Sequence, residues 1–384
     1  MSNAGTTGPK KLLFLVTEDW YFCSHRLPIA RHALKCGFEV VVATHVQKHG
    51  EQINAEGFRL IPISMRRSGV TLFGELTSLI ELIRLYRREK PDIIHHVAMK
   101  PAVFGSIAAL FSTATLVVNA VNGLGTLFSS TDKKTAVLRF IIKNLLRFLF
   151  NRSNSHLIVQ NPDDYKSLAN IAALADKQIS LIAGSGVDIA HFTVLPPPKN
   201  GNVVALVSRM LQEKGVEDLI EATNILRAEG LDVSLILAGR TDKDSATSIP
   251  EEQLYEWSKS EYIEWVGIAK DVRKIWAKAS IAVLPSYYRE GVPKALLEAA
   301  ACGRPIITTD MPGCRDVVQQ GKNGLLVPVK NPAILAQTIK KLLEDPNQRD
   351  NMATAGRKRV ESMFSEEIIV KQTIDIYIKA SKNS

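Results

Sequence analysis

The sequence lacks most of the short signatures that assign a chemistry quickly. Its four cysteines, Cys23, Cys36, Cys302 and Cys314, form no C-x-x-C and no paired metal spacing. That excludes a zinc ribbon and fits a reducing compartment. There is no H-E-x-x-H and no G-x-x-x-x-G-K-[ST], so the helical zinc-protease and P-loop patterns are excluded. No G-x-G-x-x-G follows the first strand, which argues against a dinucleotide dehydrogenase. The opening MSNAGTTG is small and polar, and no basic-then-apolar leader is read there. Charge is absent from Pro101 to Thr131. An apolar run of that length could cross a bilayer. However, AVFGSIAALFS reads as a short buried helix and ATLVVNAV as a β-branched strand, as in the core of a parallel sheet.

What is present fits a soluble two-domain protein. The chain has 384 residues, 46% hydrophobic and 23% charged, too long for one compact core. Its net charge of +9 lies wholly in residues 1–187, whereas 188–384 is neutral. A basic half either aids solubility or keeps anionic company: phosphates, acidic lipid or nucleic acid. Nucleic acid is disfavoured, because no base-stacking aromatics cluster among the cations.

Strand patterns alternate with helical ones along the whole chain. LLFLVT, FEVVVA, FRLIPI, DIIHHV, TLVVNA, HLIVQ and ISLIA read as strands of the first half, with helices at 26–36, 72–89, 101–111, 134–151 and 162–173. EDWYFCSH reads as a loop. The pattern restarts after TVLPPPKNGN (193–202), read as the linker, and gives strands from VVALVS to GLLVPV. The fold class is therefore α/β, as two doubly wound parallel-sheet domains facing a cleft. The boundaries read 1–187, 188–365 and a C-terminal helix, 366–384, returning to the first domain. Ligands of such sheets sit at the carboxyl ends of the strands.

Two segments carry candidate chemistry there. In VSRMLQEKGV, Arg209 follows a strand and Lys214 precedes Gly215 and a helix. Two cations beside a helix N-terminus suit an anion, although a solvated surface pair has the same sequence. In REGVPKALLE, Glu290 sits in a loop with Gly291, Val292 and Pro293, and Glu298 sits within an apolar helix. A carboxylate there is costly to bury without a partner, and a ribose diol would be one. A helix-start acid plus a surface acid is the plainer alternative. TDKDS mimics a metal-binding D-x-D but reads as a polar loop, so no metal and no cofactor is expected.

These residues resemble the retaining nucleotide-sugar glycosyltransferases of family four, which have the GT-B fold. EGVPKALLEAAACGRPIITTDMPGCRDVV (290–318) resembles the family's E-x7-E signature and its following turn; SRMLQEKGV resembles its basic diphosphate clamp. GSGVD (184–188) resembles a hinge that usually reads N-G-V-D, with Ser185 in place of Asn. VNGLGTLFS and HHVAMKP resemble a bacterial branch that elongates undecaprenyl-diphosphate-linked saccharides. The resemblance implies that Arg209 and Lys214 bind the donor diphosphate, Glu290 the donor sugar and Glu298 the ribose. Gly291 and Val292 would offer N–H groups beside Pro293, and backbone near Ile268 would hold the base. Asp19, Trp20, Ser24, Lys100, Gly123 and Gly125 would shape the acceptor site. His96 stands in for a sugar-contacting histidine that relatives place at the position of Val97; a packed strand-end histidine is the alternative. The implied reaction moves a sugar, N-acetylhexosamine by preference, from a UDP-sugar to a lipid-linked saccharide. Glu290 as a covalent nucleophile is the less favoured mechanism. An epimerase of the same fold and a non-catalytic sugar-nucleotide sensor are the competing functions.

Residues 134–152, KTAVLRFIIKNLLRFLFNR, place Lys134, Arg139, Lys143 and Arg147 near helical spacing among large apolar residues. The pattern suits a helix lying on anionic lipid or a core helix with a cationic rim. The expected location is the inner face of the cytoplasmic membrane.

Overall fold

A computed structural model describes residues 8–67, 71–123, 136–198 and 201–382. The chain divides into two compact units, Met1–Ser185 with Ile368–Ser384, and Gly186–Glu367.

The first unit holds strands β1 (Lys11–Val16), β2 (Glu39–Thr44), β3 (Arg59–Pro62), β4 (Ile93–Val97), β5 (Leu116–Val121), β6 (Ser155–Val159) and β7 (Ile179–Leu181). They form one parallel sheet in the order β3-β2-β1-β4-β5-β6-β7. Its helices are α1 (Asp19–His25), α2 (Leu27–Lys35), α3 (Gly50–Ala55), α4 (Leu72–Glu89), α5 (Met99–Ala109), α6 (Ala136–Phe150) and α7 (Pro162–Ala172). The strands are apolar on both faces because helices cover both. One core packs Phe14, Phe22 and Phe58 with Tyr377 from the C-terminal helix; another packs Leu13, Leu15, Leu82 and Tyr86 beneath α4 and α5.

The segment read as a loop, EDWYFCSH, instead forms α1. Phe22 is buried there, its ring centroid 5.7 Å from Phe14 and 6.1 Å from Phe58. Aromatic burial outweighs the weak helix propensity of these residues.

The second unit holds β8 (Val203–Val207), β9 (Ser234–Ala238), β10 (Ile263–Trp265), β11 (Ile281–Leu284), β12 (Ile306–Thr309) and β13 (Gly324–Val327), in the order β10-β9-β8-β11-β12-β13. Its helices are α8 (Val216–Ala228), α9 (Glu251–Trp257), α10 (Arg273–Lys278), α11 (Lys294–Ala301), α12 (Cys314–Val317), α13 (Pro332–Glu344) and α14 (Pro346–Arg359). The last helix, α15 (Glu366–Lys382), supplies Ile369, Val370, Ile374 and Tyr377 to the first unit's core.

The chain passes between units at Ser185, ahead of the proline-rich stretch read as the linker. That stretch is fastened within the second unit: Leu195 N donates to the Cys302 carbonyl at 3.1 Å, and Arg304 Nη2 to the Pro196 carbonyl at 2.7 Å. The uncharged run from Pro101 is divided between α5 and β5. Among the described residues, no helix is long and apolar enough to cross a membrane.

Candidate active site

Loops leaving β8, β9, β11 and β12 gather at the carboxyl edge of the second sheet. Their backbones are joined directly. Met210 N donates to the Arg240 carbonyl at 2.9 Å, Tyr287 N to that of Glu213 at 3.0 Å, and Glu290 N to that of Pro312 at 3.2 Å. Two glycines make this closeness possible. Gly313 has φ +85°, and a Cβ there would stand 1.6 Å from the Gly291 carbonyl oxygen. Gly215 has φ +72°, and a Cβ would stand 2.3 Å from the Pro285 oxygen. Only glycine takes both the turn and the contact.

The cations and acids of this edge are paired. Lys214 Nζ contacts Glu290 Oε1, and both side chains are mostly buried. Ser286 Oγ lies 3.0 Å from the same carboxylate oxygen and 3.0 Å from the Glu213 carbonyl. Arg209 Nη1 contacts Asp242 Oδ2. Asp242, read from sequence as part of a polar loop, is thus the counter-ion of Arg209. Ser286 and Tyr288 were not singled out in the sequence. Tyr288 feels both the Glu290 and Arg209 charges, and its phenol is pushed up mainly by burial.

α8 begins at Val216, just past Lys214, and α11 at Lys294, just past the Glu290 loop. Pro293 is the N-cap of α11, immediately before its first residue. Gly291 and Val292 lie between Glu290 and that cap. Two cations and two helix N-termini can hold a diphosphate.

Glu298 lies inside α11 among the buried Leu297, Ala299 and Ala300. Burial pushes its carboxyl up to about 7, and the Lys294 charge only partly offsets this. The group is half-buried. Ile268 is 70% exposed. Its loop is tied to the end of β9 by Gly239 N on the Gly267 carbonyl at 2.7 Å, and by Trp265 Nε1 on the Gly239 carbonyl at 2.9 Å. Cys314 is buried beneath Glu290, its thiol pushed up to about 12.

In the first unit several expectations need correction. Asp19 is fully buried, and its carboxylate accepts from the N–H groups of Trp20, Gln47, Lys48 and His49 at 2.7–2.9 Å. Those bonds hold its pKa below the usual carboxylate value against the opposing effect of burial. Asp19 therefore anchors the 47–49 loop and has no capacity left for an acceptor. Lys100 Nζ is spent on Glu75 Oε1 and the Arg66 carbonyl, both at 2.7 Å.

His96 sits in the packed position that the sequence left open as the alternative. It is fully buried, with Nδ1 2.8 Å from Asn119 Oδ1 and Nε2 3.0 Å from Tyr86 Oη. Both ring nitrogens are occupied, and burial drops its pKa to about 4. Trp20 and Ser24 lie on α1, half-buried; Ser24 Oγ is 2.5 Å from His25 Nδ1. Gly123 follows β5 with φ +99°. Gly125 lies outside the described residues, as do the side chains of Lys134 and Arg139.

Two parallel sheets of this arrangement have counterparts among solved structures. Anabaena Alr3699/HepE, solved in complex with UDP and glucose, superposes with a TM-score of 0.76 at 18% identity, over 96% of this chain and 99% of that one. The fold is therefore GT-B.

The profile of Glycosyl transferases group 1 matches residues 188–359, and that of Glycosyl transferase 4-like matches residues 11–161. The N,N'-diacetylbacillosaminyl-diphospho-undecaprenol alpha-1,3-N-acetylgalactosaminyltransferase of Campylobacter jejuni is 26% identical over an alignment of 371 positions that covers 93% of this chain and 96% of that protein. The capsular polysaccharide biosynthesis glycosyltransferase CapM of Staphylococcus aureus is 26% identical over an alignment of 390 positions that covers 98% of each chain. The chain belongs to the family-four glycosyltransferases.

Proposed function

We propose that the chain moves a sugar, N-acetylhexosamine by preference, from a UDP-sugar to a saccharide carried on a lipid diphosphate, with retention at the anomeric carbon. The observation that carries this is the Lys214–Glu290 pair beside Arg209 at one sheet edge. The names of the Campylobacter and Staphylococcus relatives support the acceptor class and its place in polysaccharide synthesis. The UDP complex of the Anabaena protein supports the nucleotide.

Arg209 and Lys214 take the donor diphosphate, with N–H groups of Gly291 and Val292 beside it. Lys214 thereby turns from Glu290 toward phosphate, and Glu290 accepts from hydroxyls of the donor sugar. Glu298 accepts from the ribose diol, and backbone at Ile268 meets the base. As the anomeric carbon–oxygen bond breaks, negative charge grows on the diphosphate, where fixed cations count most. The departing phosphate oxygen takes the proton of the acceptor hydroxyl, whose oxygen bonds the same face of the carbon. No metal enters these steps.

A lipid-borne acceptor calls for a membrane-facing surface on the inner leaflet. On α6, Phe140 is 68% and Phe148 60% exposed beside exposed Lys143 and Arg147. On α4, Phe73 is 76% exposed, and Leu76, Ile80, Arg84, Arg87 and Arg88 continue the same exposed face. Apolar side chains with flanking cations support a peripheral position on anionic lipid.

A thermal-shift screen of nucleotide sugars tests the donor. Transfer from the best binder to an undecaprenyl-diphosphate saccharide tests the acceptor, with the anomeric configuration read by NMR. Donor turned over at full rate without any acceptor would sink the transferase reading in favour of an epimerase or hydrolase.

A further inference from the structure

At the carboxyl edge of the first sheet lies a polar group that donor chemistry does not use. Arg26, between α1 and α2, is 3% exposed. Its Nη1 donates to the His25 carbonyl at 3.1 Å and its Nη2 to Asn122 Oδ1 at 3.0 Å. Its Nε has no partner. A guanidinium carries five N–H groups; with these two used, three are left without an acceptor.

Asn122, just past β5, binds the rest of the group. Its Oδ1 also accepts from Gln160 Nε2 at 2.8 Å, and its Nδ2 donates to Tyr21 Oη at 2.7 Å. His95, on β4, lies within reach of the Arg26 charge and is 1% exposed. Its Nδ1 contacts Tyr377 Oη, and its Nε2 is unpartnered.

No carboxylate among the described residues pairs with Arg26. The ionisable groups that bear on it most are the phenols of Tyr21 and Tyr377. A cation withdrawn from water without an anion is unstable unless one arrives. The outer rim suits a ligand: the Tyr21 and His25 rings stack 4.0 Å apart and are half-exposed, as is Asn122.

We propose that Arg26, with Gln160 and His95 at its sides, binds an oxyanion of the acceptor: the diphosphate joining saccharide to lipid. The guanidinium fork meets phosphate oxygens with its unused N–H groups. The stacked Tyr21–His25 pair offers a flat apolar wall to the adjoining isoprenyl or sugar unit. This inference rests on the lipid-diphosphate reading of the acceptor.

The test uses the full chain with Arg209→Ala and Lys214→Ala, which removes the donor clamp as a competing anion site. Inorganic pyrophosphate and farnesyl diphosphate are each titrated and the melting temperature followed. Both are expected to raise it by a few degrees. Equal shifts assign the oxyanion alone, and a larger shift from farnesyl diphosphate adds the isoprenyl chain.

Adding Arg26→Met is expected to abolish the shift. Should that variant not fold, Asn122→Ala, at a half-exposed position, is expected to weaken it at least tenfold. No shift in the clamp-free chain, or an unchanged shift in these variants, overturns the proposal. A pyrophosphate shift that needs Arg26, in an enzyme inactive on every lipid-diphosphate saccharide, keeps the anion site and removes the acceptor reading instead.

Discussion

Lys214 and Glu290, 76 residues apart, form a mostly buried ion pair across the loops that follow β8 and β11. A diphosphate arriving at Lys214 must exchange partners with a carboxylate. Glu290→Gln keeps the shape and removes the charge. It is expected to lower kcat by about 100-fold or more while leaving UDP affinity within a few-fold. Arg209→Ala is expected to weaken both, with UDP binding down roughly 10-fold or more. Steady-state kinetics and calorimetry separate the two, and unchanged turnover in either variant removes its assignment.

Glu298 ties function to pH. Its carboxyl rises from an ordinary 4.5 to about 7 on burial. Below pH 4.5 it is protonated in both folded and unfolded chains and costs nothing. Between 4.5 and 7 the unfolded chain loses the proton that the folded one keeps, so stability falls as pH rises. Above 7 the full penalty applies, at most about 3 kcal/mol. Glu298→Gln is therefore expected to raise the melting temperature at pH 8, to leave it unchanged at pH 4, and to weaken UDP binding. Equal melting of the two proteins at pH 8 would contradict the buried-acid account.

Asp242 pairs with Arg209. Chelation with EDTA is expected to leave transfer unchanged, whereas Asp242→Asn is expected to raise the donor KM several-fold by loosening Arg209. Activity lost in EDTA and restored by manganese would reassign Asp242 as a ligand.

Gly313 carries the turn that lets the Asp310 and Glu290 loops touch. Gly313→Ala is expected to lower unfolding free energy by about 2–4 kcal/mol, since neither the positive φ nor the 1.6 Å approach to the Gly291 oxygen tolerates a methyl group. Urea denaturation measures it, and a loss under about 0.5 kcal/mol would mean that the loops can part freely.

The strands and most helices could be read from the sequence because parallel strands buried on both faces announce themselves as unbroken apolar runs. The candidate edge of the second sheet could be located because glycine, proline and charge are concentrated in short loops after strands. Pairings across the fold could not. Asp242 lies 33 residues from Arg209, and nothing local distinguishes it from solvated acids such as Asp244. His95 and His96 are adjacent letters, yet the two-residue period sends them to opposite faces of the sheet. His95 stacks on Phe14, whereas His96 bonds Asn119 and Tyr86. Asp19 looked like a loop acid because its four backbone donors come mostly from a segment nearly thirty residues onward.

Tyr377, on α15, lies against His95 although 282 residues separate them. The first unit is therefore discontinuous in the gene, with the second inserted before its last helix. The core of the first unit therefore lacks Ile369, Val370, Ile374 and Tyr377 until α15 has been made. The second unit, continuous in sequence, can close before the first is complete.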